Sequence, residues 1–169
     1  MQLDWLLLDY PKHKQLQDYM RELNKLYTEN PAMYEVDRSW DGFQWLNVDD
    51  SGRSSVAFLR SAPDHDSYIV GLCNFTPVSY HDFVIGLPMG GTLSLILNSN
   101  EERFGGRGDE QKKLIYAHKG GFWGWEYSAT LDLPAMSALF FRYRPRKPTE
   151  KKVHKAVENI KASKKPGKK

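Results

Sequence analysis

A change of hydrophobic period at Asn30-Pro31 constrains the fold of this chain more than any other feature. Before it, Leu16, Tyr19, Met20, Leu23, Leu26 and Tyr27 recur at spacings of three and four, which predicts one helix with an apolar stripe. Pro11 suits the first turn of that helix, where its missing N–H has no bond to lose. Asn30 precedes a proline, is pushed out of helical backbone, and ends the segment. After the break, residues 34–143 carry short apolar runs punctuated by Gly, Pro, Asn, Asp and Ser. The runs fall at residues 43–48, 55–60, 68–75, 80–87, 92–97, 114–117, 125–131 and 137–143. Residues 68–75 are almost continuously apolar, as a central strand buried on both faces would be.

About seven or eight short strands with frequent turns predict a mainly β fold, an antiparallel β-sandwich preceded by one or two helices. The helix has no second helix to pack on. Its stripe therefore implies a partner surface outside this chain, so that it would promote self-association. On that reading, removing residues 1–30 makes the chain more monomeric.

Composition supports a packed body with a different tail. Of the 169 residues, 40% are hydrophobic and 13% aromatic, too many for a disordered chain. The net charge of +3 conceals an asymmetry. Residues 142–169 hold twelve Lys+Arg against two Glu, whereas the preceding residues hold twelve Lys+Arg against nineteen Asp+Glu. Residues 144–169 are expected to form a basic, disordered tail, with Val153, Val157 and Ile160 as one weak helical stripe. A basic tail can bind nucleic acid by counterion release, but no aromatic follows Tyr143 to stack on bases, so nucleic acid is not the expected partner. No run reaches the ~18 apolar residues of a membrane span. Residues 1–10 lack a signal peptide's basic start, so a cytoplasmic location is expected.

Several motifs resolve into ordinary structure. Gly105-Gly106-Arg107-Gly108 lacks the Gly-Lys-Ser/Thr of a phosphate loop and leads towards a strand, as a glycine turn would. His13, His65, His81, His118 and His154 show no metal-ligand spacing, so no metal and no cofactor are expected. The lone Cys73 has no basic neighbour in sequence and reads as a small buried hydrophobe. The acids cluster at turns and single out no catalytic pair. The best binding candidates are Trp123 and Trp125 in Phe122-Trp123-Gly124-Trp125, two flat indoles that suit the C–H faces of sugar rings. Alternate residues of a strand also fill a core, and Trp125 fits that role equally. Trp40 and Trp45 read as core or domain-interface packing.

Taken in order, the motifs resemble a known family. Leu23-Asn24-Lys25-Leu26-Tyr27, Asn30-Pro31-Ala32-Met33-Tyr34-Glu35-Val36-Asp37 and Gly42-Phe43-Gln44-Trp45-Leu46 resemble the end of the barrel and the start of the last domain in bacterial glycogen branching enzymes. Asn74-Phe75-Thr76-Pro77 resembles the family's NFTP strand end, and Gly86-Leu87-Pro88 its GVP turn. Leu97-Asn98-Ser99-Asn100 with Phe104-Gly105-Gly106 is similar to LNTD…YGG, and Leu131-Asp132-Leu133-Pro134-Ala135 to LTLPP. Departures fall at turns: Ser99-Asn100 stands for TD, Arg107 for Ser and Ala135 for the second proline.

The resemblance implies an amylase-like transferase that cleaves an α-1,4-glucan and rejoins it through an α-1,6 bond. Its catalytic Asp, Glu and Asp lie on a (β/α)8 barrel that precedes the matched region, so no catalytic residue carries over. Residues 1–30 would then be the last helical part of that barrel, and residues 31–143 the C-terminal all-β domain. The implied partners are α-glucan and the barrel, in cis or in trans. The chain alone is expected to be inactive. A standalone glycan-binding module is the competing expectation.

Overall fold

The computed structural model describes residues 4–47, 50, 52–62, 64 and 66–146. A 3₁₀ turn at Trp5–Asp9 opens the chain, the N–H of Leu6 donating to Asp4 Oδ1 at 3.1 Å. Helix α1 (Pro11–Glu29) follows, with Pro11 in its first turn as expected. Asn30 takes extended backbone and its Nδ2 donates to the Leu26 carbonyl at 2.7 Å, which closes the helix end. Two more 3₁₀ turns, Pro31–Met33 and Trp40–Gly42, lead to the strands.

Among the described residues eight strands follow: β1 (Phe43–Asn47), β2 (Ser55–Ala62), β3 (Ser67–Asn74), β4 (Tyr80–Leu87), β5 (Gly91–Asn98), β6 (Leu114–Phe122), β7 (Trp125–Leu133) and β8 (Ser137–Pro145). Every pairing is antiparallel, in the order β1-β2-β3-β8-β5-β6-β7-β4. The expected mainly β, antiparallel class is what forms, with one refinement. Two separate sheets are replaced by a single sheet curled on itself. Strand β6 makes the curl, pairing with β5 through residues 114–117 and with β7 through residues 118–122. The edge strands β1 and β4 thereby come close to one another. The indole N–H of Trp125 on β7 spans the gap, donating to the Leu46 carbonyl on β1 at 3.2 Å.

Strand alternation sends one set of side chains inwards. Leu59, Val70, Leu72, Ile85, Leu93 and Phe141 meet in this inner core. The apolar run of β3 serves two cores, because β3 lies between β2 and β8. Val70 and Leu72 face inwards. Ile69 faces outwards, into a second core with Leu26, Ala32, Leu97 and Phe140.

That second core corrects the expectation that α1 lacks a partner in this chain. Leu26 is buried against the outer face of the sheet, with Tyr19 and Leu23 packed beside it. Two further contacts hold the helix to residues 98–109, which form the expected polar glycine-rich loop. Gln15 Nε2 donates to the Glu102 carbonyl at 3.2 Å, and Tyr19 meets Phe104 edge-on at 5.3 Å. The stripe nevertheless divides, for Leu16, Met20 and Tyr27 stay exposed. At the other end, β8 extends through Pro145, two residues into the segment assigned to the basic tail. Residues 147–169, with Val153, Val157 and Ile160, lie outside the described residues.

Candidate functional site

Trp123 and Trp125 fall where the sequence places them, on the β6–β7 hairpin, but in different environments. Phe122 and Trp125 pair across the hairpin, leaving Trp123 and Gly124 as a two-residue turn. Both turn residues have positive φ, 53° and 83°, as a twist-matched type I′ turn requires. Trp123 is 47% exposed at the tip, its ring edge-on to Phe122 at 6.1 Å. Trp125 is half-buried against the inner core and tied to β1 by its N–H. Gly86 lies beneath this indole, where a Cβ would come 2.3 Å from Trp125 Cδ1. The two indoles thus point to separate tasks: one faces solvent and the other closes the seam of the sheet.

A better-formed aromatic surface lies around Trp40, Phe43 and Trp45, which sequence reasoning assigned to packing. These residues line an open cleft of about 420 Å³ with Asp37, Arg38, Ser39 and Arg60. Trp40 is 81% exposed and Trp45 48%. Phe43 sits between them, its ring 6.3 Å from Trp40 and 4.8 Å from Trp45, both edge-on. Phe58 stacks behind Phe43 at 5.9 Å.

The sequence builds this cleft by pinning the connection from α1 to β1. Arg60 on β2 donates to the carbonyls of Ala32 and Met33, at 3.2 and 3.1 Å, and to Asp37 at 2.6 Å. Its guanidinium also lies 5.9 Å from the centre of the Phe43 ring. Ser39 caps the next 3₁₀ turn, accepting from the Asp41 N–H at 3.3 Å. Gly42 packs so tightly that a Cβ would stand 2.2 Å from the Val36 carbonyl oxygen. With the backbone fixed on both sides, Trp40 is presented outwards rather than folded under. A signal was available in Asp37-Arg38-Ser39-Trp40-Asp41, since a short turn rich in polar residues has little apolar surface on which to bury an indole.

The remaining candidates are structural. Asn100 organises the 98–109 loop. Its Oδ1 accepts from the Arg107 N–H at 3.0 Å, its carbonyl from the Gly108 N–H at 2.8 Å, and its Nδ2 donates to Asp109 at 3.0 Å. Gly105 and Gly108 supply positive φ, so the glycine run is a turn, as read. Burial pushes the Cys73 thiol up from its ordinary value, the opposite of what a thiolate nucleophile needs. Burial also pushes Tyr143 up to about 12, and its hydroxyl donates to the Met89 carbonyl. Asp18, bonded to Lys14 and Arg21 on α1, is held below the usual carboxylate value chiefly by the Lys14 bond. His81 pairs with Asp132 at 3.2 Å in a second, polar cleft with Arg107 and Asp109. Among the described residues no group of three or more His, Cys, Asp or Glu is placed to hold a metal, and no helix is long and apolar enough to cross a membrane.

Known proteins agree with this architecture. Residues 45–144 match the family described as "Alpha amylase, C-terminal all-beta domain". The chain is similar to the 1,4-alpha-glucan branching enzyme GlgB of Halothermothrix orenii, 37% identical over 140 residues, covering 83% of this chain and 22% of that protein. It is 38% identical over 146 residues to the GlgB of Butyrivibrio fibrisolvens, covering 86% and 23%. With GlgB 1 of Clostridium perfringens strain 13 it shares 33% identity over 161 residues, covering 94% and 24%. The chain therefore spans less than a quarter of the length of these relatives. With the family model spanning β1 to β8 and the curled antiparallel sheet beneath it, this chain belongs to the α-amylase C-terminal all-β domain family and is homologous to the C-terminal part of GlgB branching enzymes.

Proposed function

We propose that this chain serves as the non-catalytic C-terminal domain of a 1,4-α-glucan branching enzyme, bracing the catalytic part and contacting α-glucan. The observation that carries the glucan contact is the open cleft between Trp40 and Trp45. Pyranose rings present C–H faces that exposed indoles cover well, and burying those faces removes apolar surface from water. Asp37 at the rim supplies carboxylate oxygens that accept from sugar hydroxyl groups, while Arg60 and Ser39 are occupied in holding the rim.

Retention of the purified chain on immobilised glycogen tests this reading. Trp40→Ala and Trp45→Ala together are expected to weaken retention about tenfold or more, as the loss of an aromatic anchor does. Unchanged retention removes the cleft from the proposal. The chain alone is expected to form no branches from an α-1,4-glucan, and measurable branching would overturn its assignment as non-catalytic.

A second reading, a standalone glycan-binding module using Trp123 and Trp125, is favoured by the exposure of Trp123 at the hairpin tip. In the same assay Trp123→Ala separates the two. It leaves retention unchanged if the cleft acts and lowers it if the hairpin does.

A further inference from the structure

Strand β6 changes partner halfway along, and the change leaves two backbone edges open. Residues 114–117 pair with β5, and pairing with β7 begins only at His118. On the other arm, β7 pairs with β4 as far as Leu133, but its pairing with β6 ends at Ser128. The two strands therefore part at His118 and Ser128, like the arms of a fork. A strand aims half of its N–H and C=O groups to each side. Among the described residues no strand meets the β7-facing edge of residues 114–117 or the β6-facing edge of residues 129–132. A groove of about 350 Å³ opens there, lined by Lys112, Leu114, Tyr116, His118, Ser128 and Thr130 with the buried Ile115. Alternation turns Leu114 and Tyr116 outwards, 46% and 55% exposed, and the Tyr116 ring lies 6.5 Å from that of His118. Proteins blunt an open edge with proline, lysine or a bulge, because its free groups can pair with another chain. Residues 114–117 and 129–132 contain neither proline nor lysine, and the β5–β6 register runs without a shift.

We propose that this fork is a strand-addition site, which takes an extended, acidic segment of another protein between β6 and β7. The backbone of the segment continues the ladder on the open edges, and its alternate side chains lie against Leu114 and Tyr116. Its charge follows from the lining. Lys112 holds no ion pair among the described residues, and His118 offers a ring N–H beside it. No carboxylate lines the groove, since Asp109, Glu110 and Asp132 line the neighbouring polar cleft instead. The same charge disfavours two other occupants. Residues 147–169 of this chain hold nine Lys against two Glu, so they are repelled by Lys112. A second copy, paired about a two-fold axis, sets Lys112 and His118 against the same basic stretch.

The test titrates the full chain into a capped, fluorescein-labelled peptide of alternating Val and Glu, read by polarisation, with a peptide of alternating Val and Lys as control. The Val-Glu peptide is expected to bind about tenfold or more tightly than the control. Lys112→Glu with His118→Glu is expected to invert that preference. Leu114→Ser with Tyr116→Ser is expected to weaken binding of the Val-Glu peptide about tenfold. Thermal unfolding of both variants is expected to match the wild type, because these four side chains are exposed and lie outside both cores. Amide hydrogen exchange of the wild-type chain reports the backbone contact. Bound peptide is expected to slow exchange about tenfold or more at residues 114–117 and 129–132 and to leave β2 unchanged. Binding without that slowing is adsorption through side chains and overturns strand addition. Equal binding of the two peptides, or binding of neither, overturns the proposed occupant. Exchange already slow at both stretches in the free chain at every concentration means that the chain fills its own fork. Slowing that grows with chain concentration makes a second copy the occupant, and either result overturns the proposal.

Discussion

Trp123 holds a backbone conformation that an indole-bearing residue disfavours. Left-handed backbone costs a residue with a Cβ about 1 kcal/mol, and Asn tolerates it best after Gly. Trp123→Asn creates the Asn-Gly pair that a type I′ turn prefers, and is expected to raise stability by about 1 kcal/mol in urea unfolding. Tyr143 gives a pH signature. Its folded pKa, raised to about 12 by burial, exceeds the usual value of 10.0. The stability that this buried phenol contributes is complete below pH 10, falls as pH rises between these values, and is lost above the folded pKa. The loss amounts to about 2–3 kcal/mol, and Tyr143→Phe is expected to remove this alkaline limb in a pH series of urea midpoints. Single residues were also where sequence reasoning had least purchase. Trp40 and Trp45 read as core or domain-interface packing, and their exposure removes the first of these two. Trp45 lies outwards beside Phe58, whereas Leu46 and Asn47 are both buried, because the register slips between Trp45 and Asn47. A bulge of this kind leaves no mark in the alternation that alternation itself could reveal.

Helix α1 shows what a periodic stripe can and cannot say about an element. The period gave its existence, and Pro11 and Asn30 its ends, since each depends on chemistry within a few residues. What it packs on depends on contacts across the chain, so the sheet partner was not legible. Leu26 and Leu16 read alike in sequence but have different environments. Leu26→Ala is expected to cost about 2–5 kcal/mol, because it opens a cavity over Ile69 and Phe140. Leu16→Ala is expected to stay within about 0.5 kcal/mol, as exposed substitutions do. Thermal and urea unfolding of the two variants check the difference. Removing residues 1–30 bares Ile69, Leu97 and Phe140 on the outer face of the sheet. The shortened chain is now expected to be less stable and to aggregate more, the reverse of what an unpartnered helix implied. Sedimentation of the two lengths decides between them.

At the scale of the molecule, the strands were legible because turn residues and short apolar runs are local signals. All eight expected runs are strands. The curl of the sheet was not legible, because it depends on β6 serving two partners along its length. The order of the strands was equally hidden, and it matters for how this polypeptide comes into being. Strand β8, the last of the described strands, lies between β3 and β5 and joins β1-β2-β3 to β5-β6-β7-β4. A chain ending at residue 136 is expected to lose its single cooperative transition in circular dichroism, because no other ladder among the described residues joins those two groups. On the ribosome, the same arrangement leaves two half-sheets waiting, each with an open edge towards the missing strand. The sheet closes only when β8 has been made, so the period before that strand emerges is when a nascent chain of this kind is most exposed to wrong pairing and most in need of a chaperone.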